Sequence, residues 1–217
     1  GINTASTASI TSSGTAKQIK LQSNNAIVNA APIKVTGATG TGSSIGLIST
    51  NAGISGAGAI GDITNKNASI TFGNGGNDTY SGTIYASTFN KSGAGTETIT
   101  GSITSAVNTD ISGGTLSIGN GGGTGTLTSN TATLSNNATL AYNRSVSTTI
   151  ATNISGTGNV SATLTGALSN LTADHTIALT NGTISLVTDG NLSVTQALST
   201  TNTSTTAAFL EAGKATA

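Results

Sequence analysis

The chain has 217 residues and no net charge, with seven basic and seven acidic side chains, and Thr, Gly, Ser and Asn (43, 30, 28 and 22) make up over half of it. So few cations form no basic patch, and aromatic residues at 3% form no stacking surface, so nucleic acid is excluded as a partner. Cys is absent and His175 is the only histidine, which excludes disulfides, thiolate metal sites, cysteine nucleophiles and multi-histidine centres.

The chain opens on Gly1 and contains no Met, as expected of a processed product or an internal piece of something longer. No run of 18 apolar residues occurs, so this segment is not expected to insert in a membrane. Ile2-Asn3-Thr4 begins without an amphipathic cap. Further on, large apolar residues arrive in short alternations with Thr and Ser. Ala68-Ser69-Ile70-Thr71-Phe72 is the first clear case, followed by Gly114-Thr115-Leu116-Ser117-Ile118, Thr131-Ala132-Thr133-Leu134 and Thr183-Ile184-Ser185-Leu186. A period of two predicts strands, with branched Thr suited to the outward positions. After Gly114, strand starts are predicted near Thr115, Thr126, Thr133 or Ala138, Thr149, Val160 and Ile177. Gly, Ser, Thr and Asn disfavour helix almost throughout, and the tail around Thr206–Ala212 reads as a last strand with a short helix as the alternative.

Between the strands lie Gly-Asn-Gly-Gly, Asn-Asn, Asp-Gly and Ser-Gly-Thr-Gly, all turn formers. Some pieces return. Ile54-Ser55-Gly56-Ala57-Gly58 resembles Ile154-Ser155-Gly156-Thr157-Gly158, with Ile111-Ser112-Gly113-Gly114 as a shorter echo. Phe72-Gly73-Asn74-Gly75-Gly76 matches Ile118-Gly119-Asn120-Gly121-Gly122. Loose repetition of this kind belongs to stacked coils, whose narrow core needs only a few inward Ile, Leu, Val or Ala residues each. A two-sheet sandwich would need bulkier residues. A disordered linker would not carry such regular alternation, and the chain has a single Pro and a mean hydropathy of +0.08. The expectation is an all-β, single-stranded right-handed parallel β-helix, or β-solenoid. It forms one elongated domain over 1–217, with about nine or ten coils of about 20 to 25 residues and a length of about 45 Å. Leu116, Ile118, Leu127, Leu134, Leu140 and Tyr142 should face inward, with solvated Thr between them.

Several motifs point further. Asn77-Asp78-Thr79-Tyr80-Ser81-Gly82 is a tyrosine turn and Lys91-Ser92-Gly93-Ala94-Gly95-Thr96 a lysine run. After them come Gly114-Thr115-Leu116-Ser117-Ile118-Gly119, Leu140-Ala141-Tyr142-Asn143-Arg144-Ser145 and the Ile154–Gly158 close. Together, over 54–166, they resemble the autotransporter-associated β-strand repeat, found in secreted passenger regions of bacterial autotransporters and related giant surface adhesins. The remainder matches only the general style of long filamentous adhesins. The resemblance implies a right-handed β-helical stalk or surface fibre exported through the outer membrane, with anchorage left to a separate barrel domain. Two departures stand out. The tyrosine turn precedes the lysine run, and Glu97 occupies the first apolar place of the alternation that follows Lys91. A carboxylate facing a thin core is costly, so either the phase shifts there or Glu97 lies at a coil edge.

Candidate chemistry is sparse. Asp174 and His175 are neighbours, and in a strand they would point to opposite faces and form no catalytic pair. Asp62, Asp78, Glu97, Asp110, Asp174, Asp189 and Glu211 are scattered, whereas carbohydrate-cleaving sites need clustered carboxylates. Asp78 and Asp189 lie in turns that loosely resemble calcium loops, without the nine-residue repetition of the true motif. Arg144, the only Arg, is expected to cap a coil edge or pair with an acid in the next coil. Eleven Asn-x-Ser/Thr sequons, including Asn67, Asn77, Asn137, Asn143 and Asn181, are close to chance in so Ser- and Thr-rich a chain. Pairs such as Thr126/Thr128 and Thr163/Thr165 do not recur at a constant spacing, which argues against an ice-binding array.

No catalytic, cofactor or metal residue is therefore assigned, and no enzyme is expected. The leading expectation is a secreted or cell-surface structural segment, stacking end to end with copies of itself or continuing into a longer solenoid. The alternative is an adhesin face that binds a surface, another cell or glycans.

Overall fold

The computed structural model describes all residues except 6, 8, 15, 37–41, 65–67, 136, 205 and 214–217, so the Asn67 sequon lies outside the described residues. Period-two alternation becomes strand wherever it was expected, and no helix occurs among the described residues. The first coil is β1 (Ile2–Thr4), β2 (Ile10–Ser13) and β3 (Gln18–Ser23). The second is β4 (Ile27–Asn29), β5 (Ile33–Thr36) and β6 (Ser44–Ser49), and the third β7 (Ile54–Gly56), β8 (Ile60–Gly61) and β9 (Ser69–Asn74). Three coils of two strands follow: β10 (Asp78–Tyr80) with β11 (Thr83–Ser92), β12 (Thr96–Ile99) with β13 (Ser102–Ile111), and β14 (Thr115–Ile118) with β15 (Thr126–Leu134). The next three again have three strands: β16 (Thr139–Arg144), β17 (Thr148–Ile150) and β18 (Asn153–Gly156); β19 (Asn159–Leu164), β20 (Leu171–Ala173) and β21 (Ile177–Leu179); and β22 (Ile184–Thr188), β23 (Leu192–Val194) and β24 (Leu198–Thr200). β25 (Ala208–Ala212) begins a tenth and settles the tail as a strand.

Each strand pairs in parallel with its counterpart one coil away, giving a parallel β-solenoid of about nine stacked turns. One face is a continuous ten-stranded sheet from β1 to β25. β11 meets both β8 and β9, so two separate strands of the third coil give way to one bent strand in the fourth. β13 and β15 keep that form, with a register shift at the bend. The predicted strand starts agree with β14, β15, β16, β17, β19 and β21 to within a residue or two, and β18 and β20 are additional.

In-register pairing turns the alternation into columns along the axis. One runs Leu116, Leu140, Val160, Ile184, and a second Ile99, Ile118, Tyr142, Ala162, Leu186. Leu116, Ile118, Leu134, Leu140 and Tyr142 are buried as expected, while Leu127 is only partly buried against the core. Thr126, Thr128, Thr131 and Thr133 between them are exposed.

The repeated motifs have an unexpected placement. Ile54-Ser55-Gly56 lies in β7 on the ten-stranded face, whereas Ile154-Ser155-Gly156 lies in β18 on another sheet. The two share a local geometry. Gly56 and Gly156 have φ of 128° and 120°, and a Cβ at either would sit 1.9 Å from a carbonyl oxygen of the preceding coil, Asn29 or Leu134. Only glycine turns the chain so close to its neighbour. The motif therefore marks the way a strand ends at a corner, on whichever face that corner falls.

Candidate functional site

Asp174 and His175 do meet, contrary to the alternation argument. They lie in the turn between β20 and β21, outside any strand, and His175 Nδ1 is 2.6 Å from Asp174 Oδ1. The pair is about 40% exposed on each side, and its bond stays within the turn. Arg144 behaves as the edge cap: its guanidinium donates to the Gly123 carbonyl at 3.0 Å, in the glycine-rich turn of the preceding coil. Among the described residues no group of three or more His, Cys, Asp or Glu side chains converges as a metal site would require. Asp78 Oδ1 accepts from the Thr79 amide at 2.8 Å.

The chemically unusual place is inside the rod, at the corner that leads from β9 to β10 and, one coil on, from β11 to β12. Phe89 and Lys91 keep the inward parity of β11, as Glu97 and Ile99 keep that of β12. The backbone does not shift phase to spare Glu97, nor does Glu97 lie at an exposed edge. It stands in register between Asp78 and Leu116, in the place where the following coils carry Leu, Val or Ile, and its side chain is fully buried. The expectation for this residue is thus overturned. The ladder fixes parity over β10, β12 and β14 together, and a one-residue slip would expel Ile99 as well.

Lys91 is equally buried, in register between Phe72 and Ile111. Its ammonium donates to the carbonyls of Ser92, Gly93 and Gly113 at 3.0, 3.1 and 3.1 Å, which uses all three of its donors. Neither oxygen of Glu97 has a hydrogen-bond partner, and neither does Oδ1 of the buried Asn74, whose Nδ2 donates to the Gly76 carbonyl at 2.9 Å. Burial, then the nearby Asp78 carboxylate, raise the Glu97 pKa well above the ordinary value, with Lys91 opposing. Burial lowers the Lys91 amine to about 8, with Glu97 opposing.

A second buried polar line lies on the ten-stranded face. Thr4 donates to Asn29 Oδ1 at 2.8 Å, Asn29 Nδ2 donates to the Tyr80 hydroxyl at 2.8 Å, and that hydroxyl donates to the Gly58 carbonyl. Thr4, Asn29, Gly56 and Tyr80 occupy one column of four successive coils. Gly56 has no side chain, so the tyrosine reaches past its coil to Asn29. Burial raises the Tyr80 pKa well above its usual value.

Tyr80, Lys91 and Glu97 are fully buried, while Thr4 is only partly buried in the first coil and an open trough runs past Asn74, Ser92 and Gly93 on the outside of the charged corner. The outer surface carries shallow open troughs, one of them edged by Gln18, Lys20, Ser44 and Thr71 beside the side-chain gap at Gly46. In the sequence Asn74 and Lys91 stand out only as members of motifs, not as buried polar groups. The signal for Lys91 was its parity with Phe89. No helix among the described residues is long and apolar enough to cross a membrane.

No family model matches the chain, and neither does a curated protein or a solved structure. The β-solenoid stands on its own ladders, and the motif resemblance over 54–166 bears only on what such a rod is used for.

Proposed function

We propose that this chain is an extracellular structural stalk or fibre segment of a bacterial surface protein, with no reaction of its own. The observation that carries this reading is the in-register ladder running from β1 to β25, which joins every coil to the next by backbone hydrogen bonds along one axis. Force or reach is transmitted along such a ladder, while the exterior is nearly uncharged, with scattered exposed apolar side chains such as Ile63, Val107 and Leu168. The motifs over 54–166 add the surface location. β1 and β25 each pair on one side only, and their free edges accept either a second copy or further coils of the same protein. Electron microscopy of the purified chain at high concentration tests the stacking. Filaments with an axial repeat near one rod length are expected, and monodisperse particles under all conditions would remove end-to-end assembly.

A second reading, adhesion through an exposed face, is favoured by the trough of mixed lining at Gln18, Lys20, Ser44, Ile48 and Thr71. Binding to a glycan array that is lost in a Lys20→Ala, Gln18→Ala variant would support it, and no binding above background would dismiss it.

A further inference from the structure

We infer that Glu97 holds a proton inside the folded rod, so that its coil is a proton-binding joint that tightens in acid and loosens as the solution becomes neutral. A buried carboxylate needs hydrogen bonds or a touching cation, and Glu97 has neither. Lys91, on β11, is the buried cation of this corner, yet its three donors are spent on the carbonyls of Ser92, Gly93 and Gly113. From β10, Asp78 stands beside Glu97 in the same column and its negative charge opposes ionisation, while Tyr80, also on β10, gives its proton to Gly58. On the other side β14 presents Leu116, which carries no charge. On β9, Asn74 has an unpartnered acceptor, Oδ1, and its Nδ2 is occupied by the Gly76 carbonyl. A neutral carboxyl in this setting is a donor among acceptors, and an ionised one is a further unpartnered acceptor.

The sign follows from linkage. The pKa is raised in the folded state, so between the ordinary carboxyl value of 4.5 and the folded value the folded chain binds more protons than the unfolded one. Stabilisation from this group is complete below that ordinary value, declines as pH rises, and is gone once pH passes the folded value. The joint therefore weakens with rising pH, the reverse of a salt-bridged carboxylate.

The test compares denaturant midpoints of the wild type and Glu97→Gln between about pH 5 and 7, a window whose upper end lies about one pH unit below the Lys91 value of about 8. The wild-type midpoint should fall across this window. The glutamine variant, a permanent mimic of the neutral acid, should show a flatter profile and a higher midpoint than wild type at the neutral end. Identical profiles, or a glutamine variant weaker than wild type at neutral pH, would overturn the inference. If the glutamine variant fails to fold, Glu97→Leu, which restores the apolar column, gives the same comparison. Infrared difference spectra of the folded wild type at neutral pH should contain a protonated-carboxyl band that the variants lack, and its absence would also overturn the inference. Repeating the wild-type series with millimolar calcium separates proton from metal. A calcium-dependent rise that Glu97→Gln abolishes would mean an ionised carboxylate holding a cation, and the inference would fall.

Discussion

Coils four to six and coils seven to nine fill the same cross-section with different parts. In the first group one bent strand, β11, β13 or β15, makes up the second side of each coil; in the second group β18, β21 and β24 continue only the later half of β15, and β17, β20 and β23 form a separate three-stranded sheet. Coil length does not follow this division: the first group runs 19, 19 and 24 residues, from Asp78 to Glu97, Thr96 to Thr115 and Thr115 to Thr139, and the second 20, 24 and 24, from Thr139 to Asn159, Val160 to Ile184 and Ile184 to Ala208. The interiors differ in kind as well. Near the start of the first group, Phe72 meets Tyr80 and Phe89 edge to face at 5.1 and 5.4 Å, and the same region buries Lys91 and Glu97. The later coils are lined by Ala162, Leu164, Leu171, Ala173, Leu179 and Leu186. A coil accepts a charge where glycine-rich corners bring carbonyls inward to receive it, as Ser92, Gly93 and Gly113 do for Lys91. The later coils bury hydroxyls instead, among them Thr152 and Thr188, which donate to the Ser129 and Ser169 carbonyls, and no ionisable acid or base among the described residues.

The comparison can be broken most forcefully at Leu116, which lies in register beside Glu97. Leu116→Asp sets a third acid in line with Asp78 and Glu97 and should cost about 4 kcal/mol or more, from lost burial together with an unpaired buried charge. A denaturant midpoint unchanged from wild type would mean that the inward column is wrongly placed. In the aliphatic group Leu186→Ala should cost about 3 kcal/mol, set by lost transfer energy and the cavity left behind. Thermal unfolding would check this, and a negligible shift would show that those coils close up around voids.

Tyr80→Phe sharpens the picture at the edge of the first group. It removes the bond to Gly58 and leaves Asn29 Nδ2 without its acceptor, for about 1 to 3 kcal/mol. Equal stability of the two proteins would mean that this polar line contributes nothing.

The pH dependence of Lys91 runs opposite to that of Glu97. Its folded value of about 8 lies below its ordinary 10.5, so the unfolded chain binds more protons between the two and stability should rise with pH from about 8. The rise should end near pH 10, where the unfolded chain begins to ionise Tyr80 and Tyr142, whose folded values burial holds far higher. Denaturation of the Glu97→Gln protein over this range isolates the lysine, and a flat curve would show that it is well solvated. The smallest effect is expected on the outer face, where Thr133→Ala should stay within about 0.5 kcal/mol, because the side chain is exposed and its contact to Asn108 is long at 3.5 Å.

Much of this architecture was legible in the alternation itself. Thr115-Leu116-Ser117-Ile118 and Thr131-Ala132-Thr133-Leu134 state which side chains face inward, and the glycine-asparagine turns state where each strand stops. The short strands β18 and β20, of four and three residues, escaped because each starts five or six residues from a neighbouring strand start, closer than the spacing of about 10 to 12 that the alternation suggested. Glu97 was misjudged because a local cost was weighed without the ladder. Ile99 on the same strand, with Asp78 and Leu116 on either side, fixes parity more strongly than one carboxyl can oppose it. The repeats at Ile54 and Ile154 announced corners correctly, although residue identity does not say on which face a corner falls. Contact between Asp174 and His175 depends on a turn conformation that alternation cannot supply.

The central claim is that, among the described residues, the burial of ionisable acid and base side chains is confined to one corner of the rod, where Glu97 stands inside. Hydrogen exchange read peptide by peptide, at acid and at neutral pH and corrected for intrinsic rates, tests it most directly. The account predicts that peptides covering β10, β12 and β14 lose protection on going from acid to neutral, while those covering β19 to β22 keep theirs. Equal change in both regions, or a loss confined to β19 to β22, would contradict it.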